Sequence, residues 1–395
     1  MTKIFTFFPI KKTLIILVIS IFLIVGCSVK GTQIYSSPTS NYIRPSPTIT
    51  QTSILIETKF PNMPIVNQIF FISSGGVYSL NIKAQEIKTI ISDQNNVYSW
   101  LNQIDNQIYF LRTTDSNNGF GPDDIFCSNL DGSDFKQLTN DKSRDFYLQS
   151  DSNNAYLVYS TDTNSSENRY QLTLYNLSSK SIVTIIQNSS IPYIFPKWSP
   201  NNKNIAFFEG KNSNSNGKLY IYDLDNKQVT NILPIKITPS TSISWSPDSK
   251  KIVLGIIENN HPGIYTFDIN SGDLEKIIEL NEKPLNLQWS PDGKWILFEI
   301  SPFSDQNDKY SGLYLLNLSS KEITQIQDGT KDGQFFSYQA KWSSTVSNCF
   351  EYLSNYNNDK WKIIIQNADT NAIKEIIFPE PYNYYPDSWV IIERK

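Results

Sequence analysis

Histidine is nearly missing from this sequence: His261 is alone among 395 residues. Zinc hydrolases, Ser-His-Asp triads and much general-base chemistry depend on imidazole, so a lone histidine beside Pro262, in the stretch ENNHPG, argues against them. It reads as a solvated loop residue. Cysteine is scarce too, with three residues and none of the CxxC or Cys/His spacings of a zinc site. Cys127 and Cys349 sit in apolar runs of separate, non-adjacent units, so both are expected as buried small hydrophobes and not as a disulfide. Charge is modest, with 18% charged residues and a net charge of −4. That gives no basic field for nucleic acid or for an anionic membrane surface. No EF-hand-like spacing occurs, and no cofactor or metal is expected. Nor is there a helical period of useful length after residue 60, which leaves strands to build the core.

What is present is a recurring phrase. Leu287–Ile300 reads LQWSPDGKWILFEI, and it returns as ISWSPDSKKIVLGI (Ile243–Ile256) and PKWSPNNKNIAFFEG (Pro196–Gly210). Degenerate copies surround Trp100, Leu148, Trp342 and Trp389. With Trp198, Trp245 and Trp289, these seven anchors are spaced 44–53 residues apart. Such a period, filled with short strands, predicts propeller blades. Each unit reads as four strands. Strand a carries the anchor, a Ser-Pro-Asp-Gly turn reverses the chain, and strand b is the apolar run that follows. A variable loop leads to strand c, and a second tight turn leads to strand d.

The first unit lacks a strand a: Gln68–Ser73, Val77–Ile82 and Glu86–Ser92 match b, c and d. Asp387–Ile392, around Trp389, is the strand that would supply it and seal the ring. The expected fold is therefore all-β, a seven-bladed propeller of four-stranded blades closed by a C-terminal strand, with six blades as the alternative. Anchor tryptophans are expected to be largely buried between sheets.

Residues 1–26 read as a lipoprotein signal peptide. A basic start (Lys3, Lys11, Lys12) precedes the 13-residue apolar run Thr13–Val25, too short to span a bilayer comfortably. Ile24-Val25-Gly26-Cys27 then resembles a bacterial lipobox, which implies acylation of Cys27 and anchoring to a membrane on the extracytoplasmic side. Residues 27–63 are rich in Ser, Thr and Pro and read as a disordered stalk. The propeller would occupy 64–395.

The unit Asp124–Asn140 (DIFCSNLDGSDFKQLTN) and the three Trp-Ser-Pro turns resemble the TolB-type, WD40-like (PD40) propeller repeat of bacterial envelope proteins. The resemblance covers roughly 68–392. It implies a cell-envelope location, whereas TolB itself carries an α/β domain before a six-bladed ring. The same repeats precede the hydrolase domain of prolyl-oligopeptidase-like peptidases, but no G-x-S-x-G is present here.

Two loop classes share a face in such a ring, because strands alternate direction: the variable b–c loops and the d–a loops. The d–a segments are aromatic, with Phe146 and Tyr147, Tyr193 and Phe195, Phe335, Phe336 and Tyr338, then Tyr382, Tyr384 and Tyr385. Variable loops on a rigid scaffold, with aromatic anchors, are where binding usually lives. Tyr193, Phe195, Phe336, Tyr338, Tyr384 and Tyr385 are the candidate contacts, with Lys197 and Lys341 as anion contacts just before blade tryptophans. The preferred function is an interaction module for a protein or a cell-wall polymer. The alternatives are a carbohydrate-active or lactonase-like enzyme using carboxylates drawn from Asp123, Asp124, Asp141, Asp145, Glu380 and Asp387, and a ring that only scaffolds a neighbour.

Overall fold

The computed structural model describes residues 67–392, apart from 74, 94–95, 114–122, 141–142, 165–168, 190–192, 210–217, 232, 234–242, 259–260, 301–310, 329–338, 344–347, 355–360 and 380–387. The described residues form seven antiparallel four-stranded sheets and no helix. Six sheets are contiguous in sequence. The first is completed by the end of the chain: Ser388–Ile392 pairs antiparallel with Gln68–Ser73, placing Trp389 across from Phe71. Seven blades are formed, not six.

Strand b of each blade is buried on both faces, which explains its continuous apolar composition. Its side chains alternate between two neighbours. In blade 4, Ile205 and Phe207 pack towards blade 3, whereas Ala206 and Phe208 pack towards blade 5. Each of the seven blade interfaces has its own apolar cluster. At the seam, Trp389, Ile69 and Phe71 of blade 1 meet Cys349, Leu353 and Ile363 of blade 7. Cys127 and Cys349 are free and buried.

The Ser-Pro-Asp turns owe their sharpness to a small bond set. Ser290 Oγ donates to Asp292 Oδ1 at 2.7 Å and accepts from the Trp295 N–H at 2.9 Å, while Asp292 Oδ1 accepts from the Lys294 N–H at 3.1 Å. Ser246 with Asp248 and Ser199 with Asn201 repeat the set. The residue after the Asp or Asn takes a left-handed φ: 77° at Gly293, 60° at Ser249 and 56° at Asn202. The Ser246 hydroxyl holds the Asp248 carboxyl below the usual carboxylate range. The hydroxyl-bearing serines are themselves buried.

The anchors do not all share one position. Trp198, Trp245, Trp289 and Trp342 pair with the same strand-b residue of their blades, namely Ile205, Ile252, Ile296 and Phe350. In blades 1, 2 and 3 that register belongs to Ile391, Gln103 and Ser150. Trp100 therefore stands three residues early, and Leu148 and Trp389 stand two early. Burial also differs from expectation, and it does not simply follow register. Trp245 and Trp389 are buried, Trp198, Trp289 and Trp342 are half-buried, and Trp100 is 36% exposed. At Trp100 the cause is a β-bulge, which recurs in three other blades. Strand a shifts register at Ser99/Asn102, Phe146/Gln149, Ile194/Lys197 and Leu285/Gln288, and the extra residue re-aims the side chains around it.

Candidate functional site: the axial channel

Strand a of every blade lines a central channel of about 940 Å³. The strand runs from the face of the d–a and b–c loops to the face of the tight turns, so successive residues mark depth. Three levels follow.

At the level nearest the loops stand residues held at positive φ: Trp100 (57°), Tyr147 (58°), Phe195 (54°) and Asn286 (50°) in the strand-a bulges, and Gln339 (48°) just before strand a of blade 7. Left-handed backbone at bulky residues costs on the order of 1 kcal/mol or more each and persists where surrounding structure imposes it, often at binding sites. The first three form a continuous aromatic arc across blades 2, 3 and 4. Tyr147 lies 5.3 Å from Trp100 in a T-shaped contact and 4.8 Å from Phe195, and Phe146 adds a T-shaped contact at 5.1 Å. Burial pushes the Tyr147 hydroxyl pKa up. Asn286 and Gln339 make the opposite side polar.

Two residues deeper runs a belt of Asn102, Gln149, Lys197, Ser244, Gln288 and Lys341, with Val390 at the seventh position. Much of it is stitched around the ring. Asn102 Nδ2 donates to the Leu148 carbonyl of the next blade at 3.4 Å. Gln288 Nε2 donates in the same sense to the Ala340 carbonyl, and its Oε1 accepts from the Trp342 N–H at 3.3 Å. Lys341 Nζ donates to the Trp389 carbonyl, sits 4.9 Å over the Trp389 ring, and lies 3.9 Å from Glu351 Oε2. Trp389 Nε1 donates to the same Glu351 oxygen at 3.1 Å. Burial raises the Glu351 carboxyl pKa against the opposing pull of Lys341, and burial lowers Lys341. Lys341 keeps 36% of its side-chain surface, and that surface faces the channel. Lys197 Nζ donates to Gln149 Oε1 at 3.4 Å, and burial brings it down to about 8.

Below the belt come the blade tryptophans. Trp245 Nε1 donates to the Lys197 carbonyl at 3.1 Å, and Trp342 Nε1 to the Gln288 carbonyl at 3.2 Å. Each indole thus clamps the neighbouring blade's belt residue.

Of the residues named from sequence, Phe195, Lys197 and Lys341 line this channel. Tyr193 opens strand a of blade 4, paired with Glu209. Phe336, Tyr338, Tyr384 and Tyr385 lie outside the described residues, as do Asp141, Glu380 and Asp387. Trp100, read as a core anchor, instead belongs to the aromatic arc. No signal in the sequence set it apart, since Trp342 also lacks a Ser-Pro turn and yet keeps the common register.

The candidate carboxylates meet away from the channel. Asp124 and Asp145 are buried on either side of Thr139. The Thr139 hydroxyl donates to Asp145 Oδ2 at 2.8 Å and accepts from the Ile125 N–H at 2.8 Å. Thr161 Oγ1 donates to Asp145 Oδ1 at 2.8 Å, and Gln137 Nε2 to Asp124 Oδ2 at 2.9 Å. These bonds join blades 2 and 3 as a structural strut. His261 is exposed at the start of strand c of blade 5, with Nδ1 3.1 Å from Glu279 Oε1. Among the described residues, no group of three or more His, Cys, Asp or Glu side chains converges on a metal-sized site.

Residues 151–383 match the family model described as the TolB beta propeller domain. The chain belongs to this family. No curated protein matches it in sequence. Solved structures match it in fold. TolB from Acinetobacter baumannii superposes with a TM-score of 0.52 at 13% identity, covering 82% of each chain. An oligogalacturonate lyase from Vibrio parahaemolyticus gives 0.52 at 13% identity over 78% of this chain and 84% of its own. The propeller domain of the Trilobed protease from Pyrococcus furiosus gives 0.53 at 14% identity over 72% and 84%. That last structure is described as having an open velcro topology, whereas this TolB-type ring is closed by its C-terminal strand.

Proposed function

We propose that this TolB-type propeller is a lipid-anchored interaction module of the bacterial cell envelope. In this reading residues 1–26 are the signal peptide, Cys27 is the acylated residue, 27–63 are the tether, and 64–395 are the binding domain. Its partner, a protein or a cell-wall polymer, docks on the face of the b–c and d–a loops over the channel mouth. The observation that carries the reading is the aromatic arc of Trp100, Tyr147 and Phe195, held at positive φ at the loop end of an open channel. Strained aromatic side chains around a cavity suit recognition, since they offer large contact area at small entropic cost. Among the described candidates, Asp124 and Asp145 are spent in the buried strut with Thr139, which supports the binding reading over a paired-carboxylate enzyme.

Crosslinking of the lipidated protein in intact envelope tests docking. Changing Phe336, Tyr338 and Tyr384 to Ser should abolish capture. Changing Asp225, Lys250 and Lys294 on the turn face to Ala should not. Capture lost only from the turn-face variant would reverse the assignment of faces. Fatty-acid labelling of Cys27→Ser tests the anchor separately, and label retained by that variant would refute it.

A further inference from the structure

Three belt residues make the same bond forward around the ring: Asn102, Gln288 and Lys341 each donate to a strand-a carbonyl of the next blade. Lys197 departs from this. Its ammonium turns back to blade 3, where its contact is a long one to a neutral amide oxygen. Across the sheet, Lys341 faces Glu351, but Lys197 faces Ala206. Among the described residues no carboxylate pairs with Lys197, and burial alone accounts for its lowered affinity for the proton. A buried ammonium without a counter-charge is costly, and an arriving anion relieves that cost. The surface Lys197 keeps opens on the channel. Gln149 accepts from it through Oε1, which leaves the Gln149 amide NH₂ as a second donor at the same place. Tyr147 and Phe195 each stand two residues before these side chains on the same two strands, in contact with each other at 4.8 Å.

We propose that Lys197 and Gln149 form a receptor for an oxyanion, a carboxylate or a phosphate, borne by the ligand of the channel. The acidic group lies at belt depth between blades 3 and 4, and the body of the ligand runs over Tyr147 and Phe195 towards the mouth. Lys341 takes no part, because Glu351 and Trp389 already occupy it. This deepens the reading of the channel as the binding site and rests on it.

The test follows the lysine side-chain carbon resonances of the full chain, in detergent, against pH. The Lys197 resonance is assigned by its disappearance in Lys197→Gln or, should that variant not fold, in Lys197→Met. Acetate and inorganic phosphate are each exchanged for chloride at constant ionic strength. One of them should raise the Lys197 midpoint by about one pH unit or more, the scale of a nearby opposite charge, while Lys341 stays in place. A response to acetate assigns a carboxylate ligand, and a response to phosphate assigns a phosphorylated one. A Lys197 midpoint that neither anion moves overturns the proposal. Equal movement of Lys197 and Lys341 also overturns it, as general screening. Capture of a partner by the loop face is a separate readout, so failure of docking and failure of the oxyanion site are distinguishable.

Discussion

Lys197 and Lys341 hold the same position of strand a, three blades apart, and have opposite surroundings. Lys341 is built into the seam: it faces Glu351 across the sheet, covers the Trp389 ring and bonds the Trp389 carbonyl. Lys197 faces Ala206 and reaches only a glutamine. One residue on strand b separates the two cases. A cation at the belt is structural where the cross-strand residue is an acid, and available where it is a methyl group. The seam is also where the bulge disappears, for Ser388–Ile392 pairs with blade 1 without a register shift. Trp389 replaces the bulge and fills the interface.

The contrast can be broken at the seam first. Deleting 387–395 removes Trp389 and strips the partner strand from Gln68–Ser73, leaving an unpaired apolar strand and a buried Glu351 without its indole. We expect the cooperative melt to be lost, with aggregation and rapid proteolysis. A variant that melts like the parent would show the seam to be dispensable. Next, Trp245→Ala removes a buried indole that clamps the Lys197 strand. Urea denaturation should show a loss of about 3–5 kcal/mol, with no change at the seam.

Glu351→Leu should cost roughly 1–3 kcal/mol, less than a fully buried pair because Lys341 is partly open to channel water. Adding Lys341→Met should recover most of that loss, since burial opposes the charge of both partners. A double variant as unstable as the single one would mean the lysine itself is needed.

Lys197→Met should do the reverse and stabilise. The native ammonium titrates near 8, against 10.5 for the ordinary lysine. Between those values the unfolded chain binds more protons than the native one, so parent stability rises with pH across that window. The gain from Lys197→Met, about 1–2 kcal/mol at pH 7 after allowing for channel water, should shrink from pH 8 and vanish above pH 10.5. Melting curves over that range check the sign. Smallest in stability is Trp100→Ala, expected below about 1 kcal/mol for a side chain 36% exposed. Its effect should appear in partner capture, which separates the arc from the core anchors.

The blade count and the closing strand were legible in the chain because turn chemistry is local. Ser-Pro-Asp with a small or amide residue behind it forces a reversal wherever it stands, and the apolar run after it can only be a doubly buried strand. The register of Trp100 was not legible, because nothing in a sequence marks the extra residue of a bulge, and that of Trp389 was not, because its strand takes its pairing from Gln68–Ser73 at the other end of the propeller sequence. Lys197 and Lys341 both read as anion contacts for a related reason. Each precedes a tryptophan, and their partners Ala206 and Glu351 lie nine and ten residues further on, matched to them only through the sheet. The sequence by itself determined the repeat, the ring and the strand at its seam, since those follow from near-neighbour turn and burial rules. Which lysine is bound into the wall and which faces an open channel was decided only by tertiary pairing, because a buried charge takes its meaning from whatever stands across from it.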